Sequence, residues 1–302
     1  MTSGGAFLQQ IVNGLTVGAV YALIALGYTM VYGIIELINF AHGEIYMIGA
    51  YIGTICAALL LAWGFPTTVA LPLALLVAAA LTGIYGLSAE RFAYRPLRKA
   101  GRLAPLISAL GLSIFFQQLV LLTQGAKDKV FPAAITSSGF SLGTVRIAFV
   151  QVAILAVAAV LMVTLHLFVQ RTRMGRAMRC TAQDPTMAAL VGVPVNRVIT
   201  LTFVLGSSLA AVAGVLVVLY YGKVNYLSGY TAGLKAFTAA VLGGIGSIPG
   251  AMVGGISLGV VEGLAAGYIG GEYKDIVAFV ILIIVLIVRP QGLLGVKMAD
   301  KI

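Results

Sequence analysis

Long apolar segments separated by short polar ones make up most of this sequence. A membrane-spanning helix needs about 20 apolar residues, and segments of that kind recur from one end of the chain to the other. The pattern predicts an all-α polytopic membrane protein with about 8–9 transmembrane helices. The predicted spans lie near residues 8–33, 45–64, 66–89, 104–124, 147–170, 198–221, 232–248, 250–270 and 275–289.

Glycine is the second regular feature of the pattern. A row with one glycine every fourth residue lies on one helix face, where another backbone can approach closely. We therefore expect tight helix packing late in the chain, and a bare interface that could also let helices slide during transport. The glycine-rich turn at residues 243–250 leaves open whether residues 232–270 cross twice or form a re-entrant pair. The glycines in these rows are Gly246, Gly250, Gly254, Gly255, Gly259, Gly263, Gly267 and Gly271.

Composition supports the membrane assignment. The chain is 61% hydrophobic and 9% charged, whereas about a quarter of the residues are charged in soluble proteins. Its formal net charge is +10, and the basic residues cluster beside apolar spans, which indicates membrane orientation rather than nucleic-acid binding. The two cysteines, Cys56 and Cys180, make no disulfide framework. The N-terminal segment lacks a basic region, so we do not expect a cleaved signal peptide.

The distribution of basic residues predicts the topology. Three groups, within residues 91–102, 171–197 and 289–301, hold 5 + 5 + 3 = 13 lysines and arginines. The positive-inside rule places these thirteen in the cytoplasm. Nine crossings then put the N-terminus in the periplasm and the C-terminus in the cytoplasm. Eight crossings would put both termini on the same side of the membrane. The six basic residues assigned to the other side are Lys127, Lys129, Arg146, Lys223, Lys235 and Lys274.

The loop at residues 171–197 is the largest polar island in the chain. It contains five arginines and one acid, Asp184. Asp184 can cap a short helix that begins at Pro185 and ends at Gly192, and Pro194 prevents its continuation. A capped helix in a basic loop suits docking of another protein at the cytoplasmic surface. The alternative is a connector whose arginines only set the topology.

Several polar residues lie at membrane depth, where an ionisable group usually faces the interior of the helix bundle. Glu262 falls in the middle of a span, where it could hydrogen-bond a neighbouring helix or line a translocation path; the structural role is favoured. Asn39, His42 and Glu44 follow the first span and indicate either an interrupted, re-entrant segment or an ordinary cytoplasmic turn. These four residues are the candidates for a translocation path. Neither His42 nor His166 has the companions that a metal site needs.

Motifs for covalent chemistry are not found in the sequence. Leu227-Ser228-Gly229-Tyr230 is only a partial match to an ATPase signature, and the chain contains no phosphate-binding G-x-x-x-x-G-K-[ST] loop. It contains no H-E-x-x-H motif, and although the letters G-x-S-x-G occur at residues 139–143 and 255–259, no nucleophile–base pattern accompanies them. We therefore expect no catalytic residues, no metal and no cofactor, and a protein that is not an enzyme.

Four long segments closely resemble the LivH-type permeases of branched-chain amino acid ABC importers, and the resemblance extends over essentially the whole chain. It implies a single transmembrane permease domain over residues 1–302, with residues 171–197 as the cytoplasmic ATPase-coupling loop, in a bacterial inner membrane. It also implies a second, LivM-type permease, two cytoplasmic ATPase subunits and a periplasmic substrate-binding protein as partners, besides membrane lipid. The segments are NGLTVGAVYALIALGYTMVYGIIELINFAHGEIYMIGAY, RTRMGRAMRCTAQDPTMAALVGVPVNRV, KAFTAAVLGGIGSIPGAMVGG and YKDIVAFVILIIVLIVRPQGLLG.

The resemblance also implies particular coupling residues. Ala188, Ala189 and Gly192 match the alanine–glycine core of the coupling loop, which Asp184 and Pro185 would begin. The spacing is one residue shorter than in the E-A-A-x-x-x-G pattern of many ABC permeases, and Met187 replaces the leading glutamate.

The substrates that the resemblance implies are leucine, isoleucine and valine, although related permeases carry urea or short amides. A different class of protein also fits the residues: an ion-coupled secondary transporter or channel that uses Glu44 and Glu262, and that would act without an ATPase. An intramembrane enzyme is a more distant alternative.

The charge distribution gives a first testable prediction. In a background lacking Cys56 and Cys180, a cysteine at Ser3 should react with a membrane-impermeant maleimide added outside the cell, because the N-terminus is expected in the periplasm. A cysteine at Arg171 should react only after permeabilisation. The opposite pattern at the two positions would overturn the predicted orientation.

Overall fold

The structure is a computed structural model, which describes residues 3–98, 100–101, 103–132 and 139–295. Most of these residues are helical, and four short strands lie between helices. The helices are α1 (Ser3–Ile35), α2 (His42–Ala62), α3 (Thr67–Ser88), α4 (Leu103–Gln124), α5 (Phe149–Arg171), α6 (Arg173–Gln183), α7 (Pro185–Leu190), α8 (Val195–Tyr221), α9 (Ser228–Gly243), α10 (Ile248–Tyr268) and α11 (Lys274–Val288). A π-helical turn (Ala89–Tyr94) and a 3-10 turn (Arg95–Leu97) extend α3, and the strands are β1 (Lys129–Val130), β2 (Gly139–Leu142), β3 (Val145–Ala148) and β4 (Lys223–Val224).

Seven helices are long and apolar enough to cross a membrane: α1, α2, α3 with its extension, α4, α5, α8 and α10. Two further apolar helices, α9 and α11, have 16 and 15 residues. At 1.5 Å per residue they reach about 24 and 22 Å, less than the roughly 30 Å of a hydrocarbon core. The prediction of an all-α polytopic membrane protein is confirmed, and the sequence-based count of 8–9 spans includes these two short helices.

The core of the bundle lies around α1 and α8. In their most apolar windows, 83% of α1 and 72% of α8 is buried, compared with 17% of α4. α1 packs mainly against α10, and α8 packs against α1, α2 and α3. The outer helices α4, α5 and α11 expose leucine, isoleucine and valine side chains. An apolar exterior around a packed interior is suited to lipid, because the hydrocarbon core cannot hydrogen-bond to polar groups.

Antiparallel α1 and α10 pack backbone against backbone through their glycines. A Cβ atom on Gly14 would lie 2.7 Å from the carbonyl oxygen of Gly259, and one on Gly263 would lie 2.7 Å from the carbonyl oxygen of Gln10. A Cβ on Gly255 or Gly259 would meet backbone atoms of Ala22 or Gly18. The predicted bare stripe is therefore an internal packing face, because no side chain fits between these two helices.

The predicted rows of glycine are not one continuous stripe. Gly250 and Gly254 face the opposite direction, where they contact α9 at Gly243. Gly246 lies in the turn between α9 and α10, and Gly271 lies beyond the end of α10; an added Cβ at either would meet nothing within 4 Å. α10 therefore has two glycine faces, one for α1 and one for α9.

Residues 228–268 form an antiparallel pair of helices rather than one broken span. α9 ends at Gly243 and α10 begins at Ile248, and Ser247 caps α10 by accepting a hydrogen bond from the Gly250 amide at 3.1 Å. The chain after α11 returns to this turn. The amides of Leu293 and Leu294 donate to the carbonyl oxygens of Leu242 and Gly243, both at 2.8 Å, and so satisfy the end of α9.

The described ends of the chain lie at opposite ends of the bundle. Near the N-terminus, the side chain of Gln9 exchanges hydrogen bonds with the backbone of Arg146, just before α5. The C-terminal residues contact Gly244, and the adjoining Gly246 lies beside Gly33, near the end of α1. This arrangement fits the predicted odd number of crossings.

The arginine-rich loop lies at the same end as the C-terminal residues. Met178 and Arg179 of α6 line a cavity of about 90 Å³ together with Ile34 near the end of α1 and Ile248 at the start of α10. Lys235, one of the six basic residues assigned to the other side, is buried within α9. Lys99, Arg102, Lys297 and Lys301 lie outside the described residues.

The contact between α1 and α10 gives a stability prediction. Gly263→Leu should lower the yield of folded protein more than Gly263→Ala, and both should fall below wild type, since overpacking costs roughly 1–3 kcal/mol. The measurement is the monodisperse fraction after detergent extraction. Gly111→Ala is the matched control, because a Cβ at this helical position in α4 would meet nothing within 4 Å. Equal yields for the three variants would show that the face of α10 at Gly263 does not pack against a helix.

Candidate coupling loop and polar sites in the bundle

The loop between α5 and α8 folds as two short capped helices. Thr172 caps α6 by accepting a hydrogen bond from the Gly175 amide at 3.0 Å. Asp184 caps α7, because its Oδ1 accepts hydrogen bonds from the amides of Thr186 at 2.7 Å and Met187 at 3.0 Å. Gly192 has a φ of +85°, which ends the helix in the left-handed region that glycine tolerates. The capped helix expected from the sequence is therefore present, with Pro185 as its first residue.

The two alanines of α7 face in different directions. Ala188 is fully buried, whereas Ala189 is exposed. The large apolar side chains around Ala189 are also exposed: Met187 to 61%, Leu190 to 76% and Val191 to 75%. An apolar patch at the polar end of the bundle is typical of a protein–protein interface. Within the coupling set expected from the sequence, Ala188 thus positions the helix, and Ala189 belongs to the outward-facing patch.

α6 anchors the loop to the bundle. The guanidinium of Arg179 donates a hydrogen bond to the carbonyl oxygen of Val169 in the last turns of α5. Met178 of α6 is buried and lines the small cavity beside α1 and α10. A displacement of α6 and α7 would consequently bear on the ends of α1, α5 and α10.

The sequence analysis missed Glu90, whose carboxylate is fully buried in the π-helical turn after α3. Arg95 donates to it from Nε at 3.0 Å and from Nη2 at 2.9 Å, Arg98 donates to it as well, and the Thr200 hydroxyl donates at 3.0 Å. Arg98 also donates to Asn196 Oδ1 at 2.9 Å. We call Glu90, Arg95, Arg98 and Thr200 the Glu90 cluster.

The Glu90 cluster joins the end of α3 to the first turns of α8, which is separated from the end of α7 by four residues. In the sequence, Glu90 is a single acidic residue directly before the basic segment 91–102, and this position is the sign that it pairs with an arginine. The arginines of the segment were used only to predict the topology, so their pairing with Glu90 was not expected.

The chain between α1 and α2 folds back into the bundle. α1 ends at Ile35, Glu36 takes a φ of +53°, and α2 begins at His42. A Cβ on Gly27 would touch the His42 ring and would lie 3.1 Å from the carbonyl oxygen of Gly206, in the middle of α8. Since α2 starts beside the middle of α8 and eight residues inside the end of α1, the structure favours the interrupted segment over an ordinary turn.

The three polar residues of this segment point to different neighbours. All three are buried. Asn39 accepts a hydrogen bond from the Tyr94 hydroxyl at 2.6 Å, and the His42 ring packs edge-on against Tyr28 with ring centroids 4.8 Å apart. The Glu44 carboxylate lies against Gly229, at the start of α9. The structure therefore does not bring Asn39, His42 and Glu44 together around one cavity.

Glu262 belongs to a separate polar cluster nearer the other end of the bundle. Its Oε1 lies 2.8 Å from Nζ of Lys235 in α9, and the same ammonium lies 2.6 Å from Oδ1 of Asp275 in α11. Lys274 Nζ is 4.0 Å from Glu262 Oε1. The expected hydrogen bond from Glu262 to a neighbouring helix is thus present, and its donor is Lys235.

A cavity of about 280 Å³ opens beside this cluster, and we call it the outer cavity. Lys235 and the rings of Tyr21, Tyr46 and Tyr221 line it, together with valine side chains. Lys223 and Lys274 line it too, and both are more exposed than Lys235. Neither Asn39, His42 nor Glu44 is among its lining residues.

Comparison with known proteins assigns the chain to a family. The family described as "Branched-chain amino acid transport system / permease component" matches residues 10–286. The chain belongs to this family. It is 52% identical over 301 residues to the high-affinity branched-chain amino acid transport system permease protein BraD of Pseudomonas aeruginosa, covering 98% of both chains. It is 50% identical over 304 residues to the permease protein LivH of Escherichia coli K12, again covering 98% of both.

One solved structure, an inward-facing metal-chelate type ABC transporter, covers 92% of this chain and 85% of its own. Its TM-score is 0.49 and its sequence identity is 18%. Family membership and the apolar helices together identify a multi-pass inner-membrane ABC permease, and ABC permeases work with ATPase and substrate-binding partners.

The Glu90 cluster gives a prediction that separates buried from exposed ion pairs. Glu90→Ala leaves Arg98, which is largely buried, without its carboxylate, and removal of one partner from a buried pair costs roughly 3–5 kcal/mol. Arg95 is more than a third exposed, so the loss should fall at the lower end of that range. The measurement is the thermal unfolding midpoint of the purified protein, which should fall by several degrees.

The matched control is Asp128→Asn, on the exposed loop at the other end of the bundle. Hydrogen bonds from Lys223 and Asn225 hold the pKa of Asp128 below its ordinary value, but water screens this surface pair, so the midpoint should barely change. An equal effect of the two substitutions would contradict the role assigned to the Glu90 cluster.

Proposed function

We propose that this permease is one of two membrane-spanning subunits of an ATP-driven importer for leucine, isoleucine and valine. The observation that carries the proposal is the identity of about half the residues, along the full length, with permeases named for high-affinity branched-chain amino acid transport. The capped helix α7 with its exposed apolar patch is what an ATPase-driven permease needs at its cytoplasmic end. The second membrane subunit would be a LivM-type permease.

The coupling would run from α7 into the bundle by two routes. α7 connects directly to α8, the helix that packs against α1, α2 and α3. The Glu90 cluster joins the first turns of α8 to the end of α3. When the ATPase subunits close, a pull on Met187, Ala189, Leu190 and Val191 would therefore move α8 and α3 together. Because the contact between α1 and α10 is made by glycine backbones, those helices could tilt against each other without separating interdigitated side chains.

In this proposal the arginine-rich loop faces the cytoplasm, together with the C-terminus, and the N-terminus faces the periplasm. The outer cavity then opens on the periplasmic side, where a substrate-binding protein would deliver its ligand. Such an arrangement places the coupling loop and the outer cavity at opposite ends of the same bundle.

An ion-coupled transporter is the rival from another class, and the ion pairs count against it. Glu262 is neutralised by Lys235, so it offers no free acid for a coupling cation. An ABC permease for urea or short amides is the rival within the family. The identity of about half the residues with permeases named for branched-chain amino acid transport favours the amino acid over these ligands.

The test is leucine uptake by the complete importer in proteoliposomes with ATP inside, compared with this chain alone. The complete importer should accumulate leucine and this chain alone should be silent. Ala189→Trp should abolish ATP-driven uptake and lower ATPase recovery in a pull-down, because a large ring at an exposed position blocks docking without crowding the core.

Tyr230→Trp is the matched control, since position 230 is exposed at the other end of the bundle and should tolerate the ring. Gradient-driven leucine uptake by this chain alone would favour the secondary transporter. Wild-type uptake and ATPase recovery with Ala189→Trp would mean that the loop is only a connector.

A further inference from the structure

Helix α4 packs against the bundle along one side only. The side chains that face inward are those of Pro105, Ala109, Phe116 and Val120. Phe116 meets the ring of Tyr85 in α3 edge-on, with ring centroids 6.0 Å apart. Only 17% of the most apolar window of α4 is buried, the lowest share among the seven spanning helices. The opposite side of α4 therefore faces whatever surrounds this subunit.

The outward side of α4 presents a row of exposed residues. Residues three or four positions apart lie on one helix face, and we call this row the α4 face: Ile107, Gly111, Ile114, Gln118 and Leu122. Its aliphatic side chains are strongly exposed, Ile107 to 67%, Ile114 to 61% and Leu122 to 84%. Contact with water would hydrate all of this apolar surface, which is unfavourable. The α4 face therefore requires an apolar neighbour.

Lipid alone does not suit the α4 face either, because of Gln118. This side chain is exposed at the centre of the face and makes no hydrogen bond to any residue that the structure describes. It lies six residues before the end of α4 at Gln124, which places it about 9 Å inside the helix end at 1.5 Å per residue. A primary amide has two N–H donors and a carbonyl acceptor, and lipid tails satisfy none of them.

The outward faces of α3 and α11 differ from that of α4. The large side chains exposed in the middle of these two helices are apolar, such as Leu76 and Ile84 in α3 and Val280 and Ile283 in α11. Faces of this kind suit lipid, so the exposed amide of Gln118 distinguishes α4 from them.

Gly111 is the second residue of the α4 face that the packing of this subunit does not explain. Glycine within a helix is destabilising relative to alanine, and a Cβ at Gly111 would meet nothing within 4 Å. The glycines of α10 that face α1, in contrast, are required by backbone contacts. The space beside Gly111 is not used inside this subunit, and it allows a helix of another subunit to approach closely.

A helix of another membrane protein satisfies both conditions that the α4 face sets. Between helices in lipid, glutamine side chains hydrogen-bond across the contact, and small residues let the backbones approach. The aliphatic side chains of the α4 face pack against such a helix as well as they pack against lipid. The proposed function supplies this neighbour, because the importer contains a second membrane-spanning subunit.

We infer that the α4 face is the surface to which the second permease binds, through a helix that hydrogen-bonds Gln118. The partner's helix offers an amide or hydroxyl group opposite Gln118 and a larger side chain over Gly111. The inference rests on the proposed function, which supplies the partner, and it goes beyond that function by naming the face and the hydrogen bond of the contact.

Photo-cross-linking in membranes that hold the complete importer tests the contact directly. Benzoylphenylalanine replaces Ile114 in the α4 face, and the second permease carries an epitope tag. Irradiation should give a product that contains both permeases. Val160, which is 63% exposed in the middle of α5, is the matched control and should give none. No product at position 114, an equal yield at position 160, or a product of two copies of this chain would each overturn the inference.

Substitution of Gln118 separates contact with a helix from contact with lipid. Gln118→Leu removes the hydrogen bond, so the amount of second permease that co-purifies with this subunit in detergent should fall several-fold. Gln118→Asn keeps an amide and should retain most of it. Lipid contact predicts the opposite order, because leucine suits hydrocarbon better than an amide does. An unchanged or higher recovery with Gln118→Leu would therefore contradict the inference.

A large side chain at position 111 tests the same contact from the glycine. Gly111→Leu should leave the monodisperse fraction of this subunit alone at the wild-type level, since an added Cβ meets nothing within 4 Å. It should lower the recovery of the second permease several-fold, and wild-type recovery would place the partner elsewhere. If Gly111→Leu lowers the monodisperse fraction itself, cross-linking from position 114 decides, because that experiment leaves Gly111 and Gln118 unchanged.

Leucine uptake by the wild-type importer, measured in parallel, tests the proposed function separately. An importer that assembles through the α4 face but does not carry leucine would refute the proposed substrate and leave the contact standing. An importer that carries leucine but gives no cross-link from position 114 would refute the contact and leave the proposed function standing.

Discussion

The packing of this protein depends on the direct contact between the backbones of α1 and α10. Side chains are absent where the two helices cross, since Gly14 and Gly18 on one face meet Gly255, Gly259 and Gly263 on the other. In a membrane, lipid tails are as apolar as leucine, so helices associate through close van der Waals contact rather than by escaping water. Other elements are placed relative to this pair. α9 packs on the second glycine face of α10, and α8 packs across α1.

Charged groups appear where they can be neutralised, and they connect helices that are distant in sequence. Glu90 joins the extension of α3 to α8, and Lys235 joins α9 to α10 and α11. An unpaired charge in an apolar bundle is expensive, so these pairs restrict which helices can be neighbours. They lie near opposite ends of the bundle, one beside the coupling loop and the other beside the outer cavity. A motion that starts at the loop can reach the outer cavity through α8, because Thr200 belongs to the Glu90 cluster and Val217 and Tyr221 line the outer cavity.

The break before α2 shows how a polar segment is accommodated inside the bundle. Non-helical backbone at membrane depth is tolerated only where protein or a cavity surrounds it. Here the surrounding groups are protein: Tyr94 satisfies Asn39, Tyr28 covers His42, and the first turn of α9 meets Glu44. These buried neighbours explain why the segment can begin a helix in the middle of the bundle. They also explain why its polar residues do not share one cavity.

Local patterns in the sequence were enough to predict the helical membrane architecture and the capped helix at Asp184–Gly192. Long matching segments were enough to predict the family. Apolar length predicts a span, and the Asp–Pro start and glycine end of a short helix depend only on neighbouring residues. The sequence also indicated a glycine face on α10, because residues four apart lie on the same side of a helix whatever that helix packs against.

The tertiary structure decided everything that depends on which helices meet. The sequence could not show that Lys235 is the partner of Glu262, that Glu90 is buried among arginines, or that Ala188 faces inward while Ala189 faces out. Each of these facts joins residues of different elements or depends on what covers a helix face. The residue type determines the charge of a side chain, but the packing of the helices determines which partner it meets. In this protein that packing depends on the contact between the glycine faces of α1 and α10.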